Sequence, residues 1–182
     1  ARYSNLELPG EAKQSASVGA EGGGLPRNEF LYMNRDDRPD VEEQTAALEE
    51  IVAAMKGRPV TIRTLDVGGE KLATALGAEP ASGTNPALGL RAIRLSLKRP
   101  ELLEAQLTAI LRAGVSGPVR ILLPMISSVG EVRSVRRTLE KLARKLVKKG
   151  VKIADPLPPL GVMIEIPGAA LAADALAQEA AY

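Results

Sequence analysis

Four charged side chains carry most of the chemistry this sequence could do. Arg27 and Arg63 each follow a short apolar run, Arg91 lies in a helix-like stretch, and Glu165 emerges from Val162-Met163-Ile164. Where strands and helices alternate, the carboxyl ends of the strands are where sites are built. Arg27 with Glu29, Arg63 with Asp66, Pro124 with Met125, and Glu165 all fall at such ends. Arginines converging on one mouth would grip a small, multiply charged anion, because guanidinium forks bind phosphate and carboxylate bidentately. Glu165 is an oxygen ligand of the kind magnesium accepts when substrate phosphates supply the rest. Lys71, just past Gly68-Gly69, either meets a phosphate or points to solvent, and Arg63 with Asp66 also reads as a salt bridge at a strand end.

The elements that must position these residues follow from hydrophobic periodicity. Val41 to Met55 places Leu48, Ile51, Val52 and Met55 on one helical face before Gly57. Val60 to Val67 alternates and is rich in β-branched residues, the pattern of a short strand stopped by Gly68-Gly69. Ala87 to Leu97 reads as a helix, and Pro100 opens another that runs to Ala113. Val119 to Met125 and Leu160 to Ile166 are continuous apolar runs, the mark of strands buried on two faces. Between them, Val129 to Lys149 holds an apolar helical stripe opposite a face crowded with Arg and Lys, and Ala169 to Ala181 is an Ala-rich helix. Gly22 to Leu25 forms a further strand candidate, weakened by three glycines. The order of strand, helix, strand, helix predicts an α/β fold with parallel strands and crossover helices.

Composition removes whole classes of function. At 182 residues the chain has room for one domain, 1–182, and its 45% apolar and 25% charged residues are ordinary for a globular protein. It contains no Cys and no His, which excludes a thiol nucleophile, a disulfide, an imidazole base, a phosphohistidine acceptor and thiolate or imidazole zinc sites. A net charge of +2 with 2% aromatics gives no reason to expect nucleic acid as a partner. The basic face of Val129 to Lys149 reads first as a solvated helix exterior. No apolar run approaches the roughly 20 residues a bilayer span needs, and the first thirty residues lack an apolar signal-peptide core, so no membrane partner and a cytoplasmic location are expected.

Four segments then become recognisable. Gly19-Ala20-Glu21-Gly22 leading to Arg27-Asn28-Glu29-Phe30-Leu31-Tyr32-Met33, Thr61 to Lys71, Asn85 to Arg94, and Gly161-Val162-Met163-Ile164-Glu165-Ile166-Pro167 resemble the phosphoenolpyruvate (PEP)-binding barrel of the PEP-utilising enzymes, most closely the branch serving bacterial sugar phosphotransferase systems. The motifs occur in the same order and cover nearly the whole chain. The resemblance implies a partial (β/α)8 TIM barrel of about five parallel strands. It also implies that Arg27 and Arg63 hold the phosphoryl group of PEP, that Arg91 assists, and that Glu165 ligates Mg2+. In the family the phosphoryl group passes to a histidine on a separate domain and a cysteine protonates the enolate; neither residue type occurs here, so no catalytic set is complete in this chain. The family pattern continues past Tyr182 into a strand whose Asp completes the metal site, which makes 1–182 a truncated domain. Where the family usually has Leu-Arg-Thr, this chain has Pro26-Arg27-Asn28, and a proline removes a ladder donor from a strand.

Two functions of different class follow. One is the PEP-binding part of a phosphotransferase, inactive as a fragment and dependent on a phosphohistidine domain or missing barrel half in the parent protein. The other is a non-catalytic, self-associating half-barrel. An unclosed sheet with inward-facing Ile62, Leu122, Val162 and Ile164 would drive a homodimer or larger homo-oligomer.

Overall fold

A computed structural model describes residues 3–5, 22–27, 31, 39–66, 93, 97 and 99–182. Its described elements are β1 (Tyr3–Asn5), β2 (Gly22–Arg27), α1 (Val41–Ala54), β3 (Val60–Arg63), α2 (Pro100–Ala113), β4 (Val119–Leu123), α3 (Val129–Lys148), β5 (Leu160–Val162), α4 (Pro167–Leu171) and α5 (Ala173–Glu179). The five strands form one sheet in the order β1-β2-β3-β4-β5, and every neighbouring pair is parallel. Strand order equal to chain order, with the right-handed connections that such units follow, puts the described crossover helices α1, α2 and α3 on one face of the sheet.

Burial agrees with that arrangement. Val60, Ile62, Ile121 and Leu123 are fully buried and join Leu48, Ile51 and Val52 of α1, Leu103, Leu107 and Ile110 of α2, and Val132, Val135 and Leu139 of α3 in one aliphatic core. Thr61, Arg63, Arg120 and Leu122 alternate with them and are only half-buried. The expectation that Ile62 and Val162 face the sheet's open side is therefore corrected. Ile62 pairs with Ile121 and Val162 with Leu123, and Ile121 and Leu123 belong to the helix-facing core. Of the four aliphatics, Leu122 alone has the opposite strand parity among the residues that the ladder places.

Each helix has a local reason to start where it does. Asp40 caps α1 by accepting from the Glu43 N–H at 2.8 Å, Pro100 occupies the first turn of α2, and Ser128 with Glu131 makes a reciprocal capping box on α3. Glu42 of α1 accepts from two nitrogens of Arg112 on α2, one at 2.9 Å. That two-point pairing holds the Glu42 carboxyl below the usual carboxylate range.

Several boundaries move. The strand expected over Val60 to Val67 ends at Arg63, although the Thr64 N–H still reaches Leu122 O at 3.0 Å; Val67 lies outside the described residues. β4 ends at Leu123 because Pro124 has no N–H to give and Met125 adopts φ 56°, which no strand allows. The run to Ile166 is ladder only over Leu160–Val162. The single Ala-rich helix is two, α4 and α5, meeting at Ala172; propensity would carry it through, and tertiary docking of Ala169 and Leu176 overrides it. β2 is longer than expected and contains Pro26, absorbed by a register shift between Gly24 and Arg27. β1 was not legible at all. The helix over Ala87 to Leu97 lies outside the described residues except for Ile93 and Leu97, both helical.

The edge of β5 is occupied. Ala181 N–H donates to Leu160 O at 2.8 Å and Val162 N–H to Tyr182 O at 3.1 Å, so the last two residues run along β5 in place of the bare edge expected there.

Candidate functional site

Parallel register decides which strand ends share a level. Arg27 is the Cα partner of Arg63, and Arg63 of Leu122; Leu122 in turn pairs with Gly161. Arg27 and Arg63 thus end adjacent strands at the same level, with backbones about 4.8 Å apart. The Arg63 side chain is half-buried. Glu165 lies three residues beyond β5, exposed, and its Oε2 accepts from the Met125 N–H at 3.1 Å. That bond fixes the carboxylate over the carboxyl end of β4, one strand from Arg63. Met125 itself has a left-handed backbone, φ 56°. Arg91 and Lys71 lie outside the described residues, as do Glu29 and Gly68-Gly69.

Gln106 is a supporting residue that sequence reasoning missed. It sits on the buried face of α2 with no exposure and its Oε1 accepts from the Leu65 N–H at 3.1 Å, tethering the segment directly after Arg63 to the helix layer. The signal was there: Leu102, Leu103, Leu107 and Ile110 define an apolar stripe, and Gln106 interrupts it. A lone amide on a buried stripe has to find a backbone partner.

A second group missed from the sequence floors the half-buried face. The Tyr182 ring lies against Gly161, where a Cβ would come within 2.6 Å of ring Cδ2 and Cζ. Its hydroxyl donates to Ile121 O at 2.9 Å, and the Arg120 guanidinium sits 5.6 Å from the ring centroid. Burial pushes the Tyr182 hydroxyl well above the ordinary tyrosine range, against opposing pulls from Arg120 and a hydrogen bond with Thr61. The start of α3 is satisfied from within: Glu131 Oε2 accepts from Ser127 N–H at 2.7 Å and Ser128 N–H at 3.1 Å.

No group of three or more acidic side chains able to hold a metal occurs among the described residues. Glu165 offers one hard oxygen beside the one that Met125 holds.

The PEP-binding domain profile of the PEP-utilising enzymes matches residues 2–182. This chain belongs to that family. Curated relatives called phosphoenolpyruvate-protein phosphotransferase include one from Staphylococcus carnosus, 43% identical over 175 residues, 96% of this chain and 30% of that protein. Another from Cupriavidus necator is 46% identical over 168 residues, 92% of this chain and 28% of that protein. One from Listeria monocytogenes is 45% identical over 175 residues, again 96% and 30%. The PEP-binding domain described here spans less than a third of the length of these relatives. No described helix is long and apolar enough to cross a membrane.

Proposed function

We propose that this chain is the PEP-binding part of a PEP-protein phosphotransferase. The observation that carries the reading is the shared level of Arg27 and Arg63 on adjacent parallel strands, with the Glu165 carboxylate anchored at the same end of the sheet. Arg27, Arg63 and Arg91 grip the phosphoryl group and spread its charge, which is most of what phosphoryl transfer asks of a protein. Glu165 supplies one oxygen to Mg2+, with substrate phosphate and water completing the shell; the metal neutralises charge developing on the transferred group. Lys71 is a candidate further phosphate contact. The acceptor is a histidine elsewhere in the parent protein, since this chain contains no His, and the reaction belongs to the cytoplasm. The singly wound order β1-β2-β3-β4-β5, continued by Ala181 and Tyr182 along β5, supports a (β/α)8 barrel of which residues 1–182 are one portion.

Calorimetric titration of the protein with PEP in the presence of Mg2+ tests the reading. Arg63→Ala is expected to abolish the binding heat and Arg63→Lys to restore part of it. Equal affinity in Arg63→Ala and the unsubstituted protein refutes the assignment. Self-association is measured on the same samples by sedimentation.

A further inference from the structure

The basic face of α3 takes no part in the site. At 3.6 residues per turn, Arg137, Lys141, Arg144, Lys145, Lys148 and Lys149 fall on one arc, opposite the buried stripe of Val132, Val135, Leu139 and Leu142. All six are exposed. They form a ridge about 18 Å long at 1.5 Å per residue, Lys152 follows it, and between 137 and 152 the single acidic residue is Glu140, a half-buried side chain beside Arg137 and Arg144, with none after it. Two neighbouring arginines of the same helix are spent internally: Arg133 pairs with Glu179 at 2.8 Å, and Arg136 bonds the Glu179 backbone. The ridge has no comparable ion pair among the described residues.

We propose that this ridge docks the protein on an anionic phospholipid surface. Charge complementarity calls for a polyanion, and three observations favour a lipid surface over nucleic acid. The cations fall on one arc of a single helix, along about three turns that a flat sheet of headgroups meets lengthwise. Residues 129–152 contain no aromatic, Asn or Gln side chain that could stack on a base or read its edge. Val147, 61% exposed on the shoulder of the ridge, is an apolar group that a headgroup layer accommodates. Attachment is peripheral, because the apolar stripe of α3 is already buried against the core and is not available for insertion. This departs from the expectation of no membrane partner, which rested on the absence of a spanning segment. It is independent of the proposed function.

The test is co-sedimentation of the full protein with vesicles of phosphatidylglycerol and phosphatidylcholine in a 3:7 ratio, against pure phosphatidylcholine, across a salt series. Binding is expected to the anionic vesicles alone and to fall steeply with salt. Each lysine at the surface is worth about fivefold in partitioning, so Lys145→Gln, Lys148→Gln and Lys149→Gln together should weaken it by roughly a hundredfold. The corresponding triple Arg variant should bind like the unsubstituted protein. Equal binding to both vesicle types, or unchanged binding by the triple Gln variant with its helix content intact by circular dichroism, overturns the proposal. So does a random duplex DNA bound more tightly than the vesicles at 150 mM salt. Lipid and salt dependence of the unsubstituted protein decide the matter even if the triple variant unfolds.

Discussion

Gly161→Ala probes the floor of the candidate site and the docking of the last residues in one substitution. A Cβ at 161 comes within 2.6 Å of two Tyr182 ring carbons, where carbon contacts settle at about 3.5 Å or more. The ring must retreat by about 1 Å, and its hydroxyl cannot hold the 2.9 Å bond to Ile121 O at that displacement. Losing that bond removes about 1 kcal/mol, and loosening the ring from Arg120 a further ~0.5 kcal/mol. With some apolar surface returned to water, the expected destabilisation is about 2 kcal/mol. Urea unfolding followed by circular dichroism measures it. A cycle with Tyr182→Ala isolates the cause: in that background Gly161→Ala should be close to neutral, since alanine costs less backbone entropy than glycine. A loss below about 0.5 kcal/mol in the Tyr182 background, or the same loss in both, refutes the packing argument.

Ser128→Ala removes half of the α3 capping box and should cost about 1 kcal/mol in urea unfolding. Gly114→Ala drives a Cβ to 2.5 Å from Ala154 Cβ and 2.9 Å from Val119 Cγ2; with the Ala154 N–H fixed to Leu111 O at 2.8 Å, overpacking of about 1–3 kcal/mol should appear as a lowered Tm. Tyr182→Phe carries a pH signature. The folded-state pKa of Tyr182 is raised by burial, so its contribution is complete below the unfolded value of about 10 and declines as pH rises beyond it, by less than the full linkage slope because the residue is 42% exposed and screened by water. Tyr182→Phe should therefore be the less stable protein at neutral pH, with the difference narrowing as pH rises beyond about 10, and parallel stability curves would show the hydroxyl to be solvated.

The layered α/β character was legible because aliphatic periodicity reports burial directly: Leu48, Ile51 and Val52 mark the core face of α1, and Val119 to Leu123 mark a strand. What periodicity cannot tell in a continuous apolar run is which alternate set faces the helices. Ile62 and Leu122 look equivalent in sequence and sit on opposite faces, a difference fixed only by the register Ile62 to Ile121. β1 was invisible because Tyr3–Asn5 is three residues long with a polar pair in it. Its strand character comes from pairing with β2. Arg27 follows a bulge at Pro26, and Glu165 bonds a left-handed Met125. Neither is a compositional property. Gln106 is marked locally by its break in the apolar stripe of α2, but its partner 41 residues away, like the Tyr182 hydroxyl's partner 61 residues away, lies beyond any local pattern.

The same alternation explains how a strongly cationic end can be carried by a small aliphatic sheet. Along β3 and β4 every second residue is buried in the core shared with α1, α2 and α3. The residues between them, Thr61, Arg63, Arg120 and Leu122, leave the helix interface untouched. Arginine there displaces no core methyl group and incurs only part of the desolvation that a buried charge would. Chemistry can then change on one face while the fold persists on the other, and at β2 a register shift between Gly24 and Arg27 accommodates Pro26 with Arg27 still paired to Arg63.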